Sequence, residues 1–425
     1  MRAHLLRTAG RVHLASYLAC DCFRGFLLVQ AKFPAPMKSY LAIFFPNSAQ
    51  TGTEQVMRGV TEGMFEAAKT SGCPFFIHRV REIDEVQGSL GVIGMMGADQ
   101  GRERFLKLGI PLVNVSNLRG PVPEMANVLN DDEATGRMAA AHLLEKGYRS
   151  FIAVGQAGPQ WSRERMKGFL GEVQAAGFAS AAVDVHLSDV SQDFRPSAFL
   201  DMIWEQVFPL LREAPLATGI FAASDLLAWP ILLKLREEGD ERAHTTALLG
   251  VDNLHDQLFD PTRTAGLSSI QPGFRAAGGR GLQLLIDAAQ DPDRPCTASL
   301  RVPPEKLHAR GSTSGMACED PVVSAVVREL WAMVHQSQDP PIREIARRQG
   351  MSLRNLELRF EAELGLSPRM LVAEMRIQLG QELLRDTEIS ITEVSRRCGY
   401  ANSTTFSTFF GKKTGKTPRE WRMES

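Results

Sequence analysis

Ile342-Arg-Glu-Ile-Ala-Arg-Arg-Gln-Gly350-Met-Ser352-Leu-Arg-Asn-Leu-Glu-Leu-Arg-Phe360 and Ile391-Thr-Glu-Val-Ser-Arg-Arg-Cys-Gly399-Tyr-Ala-Asn402-Ser-Thr-Thr-Phe-Ser-Thr-Phe409 share one grammar. Each is a short amphipathic helix, a glycine, a polar cap and a second amphipathic helix, which is the pattern of a helix-turn-helix. Ile345, Ala346, Leu353, Leu356 and Phe360 make one core face, and Val394, Tyr400, Phe406, Phe409 and Phe410 make the other. Ser352 and Asn402 stand where helix caps are needed, and Ser390-Ile-Thr-Glu393 reads as a capping box. A helical pattern over 368–385 separates the copies. Its about eighteen residues give about 27 Å, which suits two recognition helices in successive major-groove turns.

The rest of the chain is too long for one core. Its 425 residues predict two or three domains. A hydrophobic content of 44% and a charged content of 23% are those of a soluble globular protein. The net charge of −1 means that any nucleic-acid surface must be local. Residues 341–425 hold 15 Lys and Arg against 11 Asp and Glu, a difference of +4, which has the expected sign. The six cysteines are scattered, with no CxxC or Cys/His ligand spacing, so neither a metal site nor a disulfide framework is expected and a reducing cytoplasm suits them. Residues 1–36 carry three arginines and an apolar run broken by Asp21 and Arg24, and read as a poorly ordered extension rather than a signal peptide.

From residue 37 the pattern alternates. Strand candidates lie at 39–46, 75–77, 90–94, 111–115, 151–154, 183–185, 219–222 and 248–251. Helical patterns lie between them, at 54–71, 99–109, 130–146, 161–176, 197–212, 225–238 and 272–289. Such alternation predicts βαβ units, a largely parallel sheet and two lobes. The stretch 300–310 closes this unit, and small polar residues from Gly311 form a linker. The expected organisation is an extension over 1–36, a sensor over 37–313, a linker over 314–323 and an all-helical domain over 324–425.

Asp132-Glu-Ala-Thr-Gly136, Ala141-His-Leu143, Arg165-Met-Lys-Gly168, Ile220-Phe-Ala-Ala-Ser-Asp225, Gly250-Val-Asp252-Asn253 and Arg310-Gly-Ser-Thr313 occur in an order that resembles the LacI/GalR regulator core, itself similar to periplasmic sugar-binding proteins. The resemblance implies a small sugar bound between the lobes, with Arg165 and Asp252 in its site. Ligands of open α/β sheets sit beyond the carboxyl ends of strands. Trp161, Ser162, Ser224, Asp225 and Asn253 follow strand candidates in that way, as do Asn47, Ser48 and Gln55 in the first lobe. Carboxylates, amides and a guanidinium satisfy adjacent hydroxyls, and an indole covers an apolar ring face. Asp225 and Asp132 also fit as helix N-caps, Trp161 as a packing residue, and Arg165 and Asp252 as partners of each other.

Leu356-Glu-Leu-Arg-Phe360, Gly365-Leu-Ser-Pro368, the second repeat and Gly415-Lys-Thr-Pro418-Arg-Glu-Trp421 resemble the AraC-type DNA-binding domain. A periplasmic-type sugar core ahead of that domain resembles the xylose-responsive, XylR-like regulators. The fold expected is therefore an α/β two-lobed periplasmic-binding-protein-like domain plus an all-α AraC-type domain with two helix-turn-helix motifs. Base-edge candidates are Arg354, Asn355 and Glu357 in the first copy and Ser403, Thr404, Ser407 and Thr408 in the second. Arg359, Lys412 and Lys413 are phosphate candidates. Leu358 and Thr408 depart from the long basic residues common in that family.

The resemblance implies a cytoplasmic, sequence-specific DNA-binding regulator without catalytic residues or cofactor. It implies a homodimer on paired half-sites, each subunit spanning two adjacent major grooves, in contact with RNA polymerase and with no membrane. The alternatives are a sugar-binding transport-type protein, which leaves 341–421 unexplained, and a regulator sensing a non-sugar small molecule. No GxSxG, P-loop or HExxH pattern favours an enzyme.

Overall fold

In a computed structural model, the chain is described for residues 40–44, 51–71, 76–86, 88–96, 99–186, 196–237, 242–254, 266–291, 296–386 and 389–424. The extension over 1–36 and the candidates Asn47 and Ser48 lie outside the described residues.

Two six-stranded sheets form the α/β part. The first is built from β1 (Tyr40–Phe44), β2 (Phe76–Val80), β3 (Gly91–Gly94), β4 (Leu112–Asn114), β5 (Ala126–Asn130) and β11 (Ser299–Val302), in the order β11-β5-β4-β3-β1-β2. The second is built from β6 (Ser150–Gln156), β7 (Ser180–Val185), β8 (Thr218–Ala222), β9 (Ala247–Val251), β10 (Ser268–Gln271) and β12 (Lys306–His308), in the order β12-β10-β9-β8-β6-β7. All pairs are parallel except β10 with β12. Parallel central strands are covered on both faces, and β5, β8 and β9 are buried along their whole length.

The chain crosses between the sheets three times. It leaves β5 through Asp131 into the helix Asp132–Glu145, leaves β10 through Pro272 and Gly273 into the helix Phe274–Gln290, and leaves β11 through residues 303–305 into β12. The crossings are tied together. Asp131 N–H donates to Val302 O at 2.7 Å, and Glu305 N–H donates to Gln271 O at 2.9 Å. A Cβ on Gly273 would stand 2.4 Å from Pro303 O, so only glycine lets two crossings pass this closely.

Four features differ from the sequence reading. The strands β5 and β10, the short helix Arg242–Thr245 and the division of 300–310 into β11 and β12 were not expected. Ala126–Asn130 and Ser268–Gln271 carry polar residues paired inside the core, so they show no apolar run. Pro303-Pro304 divides the closing stretch 300–310 between two sheets.

From Pro321 onward the described residues form helices only: Pro321–His335, Ile342–Arg348, Leu353–Leu364, Pro368–Asp386, Ile391–Arg397, Ser403–Thr414 and Pro418–Glu424. They share one core, in which Val326, Val327 and Leu330 of the first helix meet Leu356, Phe360, Val394, Phe406 and Phe410. Ser352 caps Leu353–Leu364 by accepting from Asn355 N–H at 3.2 Å, and Asn402 caps Ser403–Thr414 by accepting from Thr405 N–H at 2.8 Å. The box at Ser390 is only half made. Ser390 accepts from Glu393 N–H at 3.2 Å, while the Glu393 carboxylate turns to Arg396 and Arg397. These two hydrogen-bonded guanidiniums hold the Glu393 carboxyl down at about 2.

Candidate functional site

Arg165 is the centre of a buried charged cluster. It sits on the helix Gln160–Ala175, only 3% exposed. Its Nε donates to Asp132 Oδ1 at 2.8 Å. Its Nη1 donates to Asp252 Oδ1 at 3.0 Å and to Ala223 O at 2.7 Å. The guanidinium carbon lies 4.9 Å over the Trp161 ring, a cation–π distance. Burial alone would lower the Arg165 pKa, but Asp252 and Asp132 raise it. Burial pushes the Asp132 carboxyl up, against Arg165 and Asn117. With the guanidinium at 2.8 Å, Asp132 stays the ionised partner of a buried pair.

Gly136 and Gly168 explain how Arg165 reaches this place. A Cβ on Gly136 would lie 2.0 Å from Arg165 O, and one on Gly168 would lie 2.1 Å from Glu133 O. The helices Asp132–Glu145 and Gln160–Ala175 thus pack backbone to backbone, which sets Asp132 beside Arg165.

Asp252 and Asn253 follow β9 with φ of 101° and 50°, two successive residues in a region that L side chains rarely adopt. The strain is held from several sides. Asp252 N–H donates to Ile270 O at 2.9 Å, Asn253 N–H to Ser269 Oγ at 2.9 Å, and Arg310 Nη2 to Asn253 Oδ1 at 2.6 Å. From the other lobe, Gln55 Nε2 donates to the carbonyl oxygens of Asp252 and, at 3.2 Å, Asn253. A second network runs outward from Asp132. Asn117 donates to Asp132 at 2.7 Å and to Glu164 at 2.8 Å, and Arg301 binds both oxygens of Glu164.

The structure therefore brings together Arg165, Asp252, Asn253, Trp161 and Gln55. It turns three other candidates inward. Ser162 is fully buried and accepts from Gln156 N–H at 2.7 Å, which straps the end of β6. Ser224 is buried, and its carbonyl starts the helix Asp225–Glu237. Asp225 is buried and accepts from Leu254 N–H at 2.8 Å and from the Ser269 hydroxyl at 2.8 and 2.9 Å. Burial, then the Asp252 carboxylate, push Asp225 up to about 7. Asp225 thus braces the strained corner, while Ser162 fastens the end of β6 and Ser224 starts the helix after β8. One face of Trp161 is likewise occupied, by Arg165.

A polar crevice of about 180 Å³ opens beside this cluster, lined by Gln55, Asn253, Arg58, Glu62, Arg275 and Glu305 among others. It shares Gln55 and Asn253 with the cluster but not Arg165. The buried guanidinium and its carboxylates are the better marker of a binding site, because converging paired charges are costly to bury without a use. Asp132, Asn117 and Arg310 were not expected as site residues. Asp132 opens a motif that also reads as a cap, and Asp131 is in fact the cap, accepting from Ala134 N–H.

The Arg310–Thr313 motif has a structural use. Ser312 Oγ donates to Leu248 O, Thr313 pairs with Ser268 at 2.6 Å, and His142 meets Thr313 at 3.1 Å. Burial lowers His142 to about 4, so it stays neutral there. Just beyond, Ala317 N–H donates to Lys146 O, and Arg328 reaches Gly311 O and Thr246 O. The helix Pro321–His335 is thereby fastened to the second sheet's unit while it contributes to the helical core.

On the helical domain, Arg354, Asn355, Thr404 and Thr408 are exposed, and Glu357, Ser403 and Ser407 half-buried. Lys412 and Lys413 are exposed, and Lys413 approaches Glu374 at 3.7 Å. Arg359 Nη1 binds both oxygens of Asp320, at 3.1 and 3.0 Å.

The description "helix-turn-helix domain" matches residues 345–424, and "periplasmic binding protein-like domain" matches residues 140–313. The xylose operon regulatory protein of Escherichia coli (strain K12) is 27% identical over 387 residues, 88% of this chain and 95% of that protein. Its counterpart in Haemophilus influenzae is 26% identical over 383 residues, 86% and 95% of the two chains. A solved xylose-binding transcription activator, 23% identical, superposes with a TM-score of 0.62 over 92% of this chain and 99% of its own, a likeness of fold. The chain is a transcriptional regulator that joins a periplasmic-binding-protein-like domain to a helix-turn-helix domain. In this regulator no helix among the described residues is long and apolar enough to cross a membrane, and no cluster among them has the ligands to hold a metal.

Proposed function

We propose that this regulator senses a small polyol, first of all a pentose such as D-xylose, in the cleft at Arg165. The observation that carries this is the guanidinium held between Asp132 and Asp252 at a strained strand end, with Gln55 reaching across from the other lobe. Arg165 Nη2, the second oxygen of Asp252 and the Asn253 amide are groups for adjacent hydroxyls. The names of the relatives give the sugar class.

Sugar binding between the lobes favours one lobe arrangement, and the clamped helix Pro321–His335 passes the change to the DNA reader. The sensor spans 37–313 and the reader 324–425. The reader offers Arg354, Asn355 and Glu357 to bases from one helix and Ser403, Thr404, Ser407 and Thr408 from the other, with Lys412 and Lys413 on phosphates. The regulator works in the cytoplasm as a homodimer on paired half-sites, next to RNA polymerase, and is not an enzyme.

A thermal-shift series of monosaccharides on the full chain tests the sensor. D-xylose raises Tm in a concentration-dependent way, and the rise is lost in Asp252→Asn. If no monosaccharide raises Tm, the effector is not a sugar.

A further inference from the structure

Leu358 is 54% exposed on the helix Leu353–Leu364. A single exposed leucine needs no explanation on an ordinary surface. Here its place is particular. Leu356 and Phe360 are fully buried and fix which side of the helix faces the core. At 100° per residue, Asn355, Leu358 and Ala362 share the side opposite, and all three are exposed. Arg354 and Asn355 lie one turn before Leu358, so the three side chains form one patch at the amino-terminal end. Arg359, next in the chain, is tied back to Asp320 and is not available to cover Leu358. Thr408 is the counterpart in the second copy, six residues after its cap Asn402 as Leu358 is after Ser352, and it too is exposed and bears a methyl group.

In the major groove the one apolar feature of a base edge is the C5-methyl of thymine. A leucine beside an Arg and an Asn that donate to guanine or adenine has a matching surface only there. We infer that Leu358 is a specificity-determining residue that reads a thymine methyl within the first half of each half-site, beside bases contacted by Arg354 and Asn355. This rests on the DNA-reading role proposed above.

The test uses the full-length protein and a duplex selected by it from a randomised pool. Each thymine of that duplex is replaced in turn by uracil, which removes the methyl alone. Burial of one methyl corresponds to about fourfold in affinity. The wild type loses about three- to tenfold at one thymine, while Leu358→Ala binds the thymine and uracil duplexes equally. Leu358→Arg moves the preference at that position from thymine to guanine. Because the side chain is exposed, far-ultraviolet circular dichroism and Tm of both variants stay those of the wild type. A wild type that binds selectively but ignores every uracil replacement overturns the inference alone, as does a Leu358→Ala protein that keeps the discrimination. A protein that selects no duplex overturns the DNA-reading role with it.

Discussion

Asp225 is a carboxyl placed where ionisation is penalised. It is buried, faces the Asp252 carboxylate, and has Arg310 as its offsetting charge. Its folded pKa of about 7 lies above the ordinary 3.8. The folded state therefore holds the proton more tightly than the unfolded chain, and stability falls as pH rises from about 4 through 7. Asp225→Asn keeps an acceptor for Leu254 N–H and removes the titration. In scanning calorimetry the wild-type Tm drops relative to the variant between about pH 4 and 7. Arg165→Ala has the opposite character. It leaves Asp132 and Asp252 without their cation and lowers stability by about 3–5 kcal/mol, read by urea unfolding. A loss below about 1 kcal/mol would mean the pair contributes little. Arg165 and Asp252 were readable as a pair through the family resemblance that their motifs carry. Asp132 was not readable as their third partner, since a carboxylate at a helix start has a cheaper local role. Likewise the pairing of Arg359 with Asp320, 39 residues away, is not readable from local pattern.

Among the elements, the paired helices Asp132–Glu145 and Gln160–Ala175 matter most. Gly136 and Gly168 let them touch through backbone. Gly136→Ala forces them apart at Arg165 O and destabilises the protein by about 1–3 kcal/mol, visible in the same unfolding experiment. It also weakens sugar binding, because Arg165 rides on the displaced helix. Gly171, on the same helix, is the internal control. A Cβ there would meet nothing within 4 Å, so Gly171→Ala leaves Tm unchanged or higher. At the junction, Asp320 caps Pro321–His335 through Val322 and Val323 N–H and also holds Arg359. Asp320→Ala costs about 1 kcal/mol in the helical domain. Helices and the apolar strands were legible from periodicity alone. The strands β5 and β10 were not, because Asn114 with Asn127, and Ser268 with Thr313, satisfy their polar groups through partners distant in sequence.

At the scale of the molecule, two lobes joined by three tied crossings carry a helix that belongs to both the sensor's surface and the reader's core. Under the proposed function, that arrangement is the mechanical route by which ligand binding reaches the recognition helices. The division into an α/β part and a helical part was plain in the sequence, since strand candidates stop before residue 321. The threefold crossing was hidden, because the closing stretch 300–310 serves two sheets. Under the proposed function, sugar held at Asp252 and Arg165 sets DNA affinity. Fluorescence anisotropy of the full-length protein on its selected duplex, with and without D-xylose, tests it in wild type and Asp252→Asn. Xylose is expected to shift the wild-type Kd by about fivefold or more, while Asp252→Asn binds the duplex but shows no shift. An equal Kd with and without sugar in the wild type, or the same shift in the variant, would contradict it.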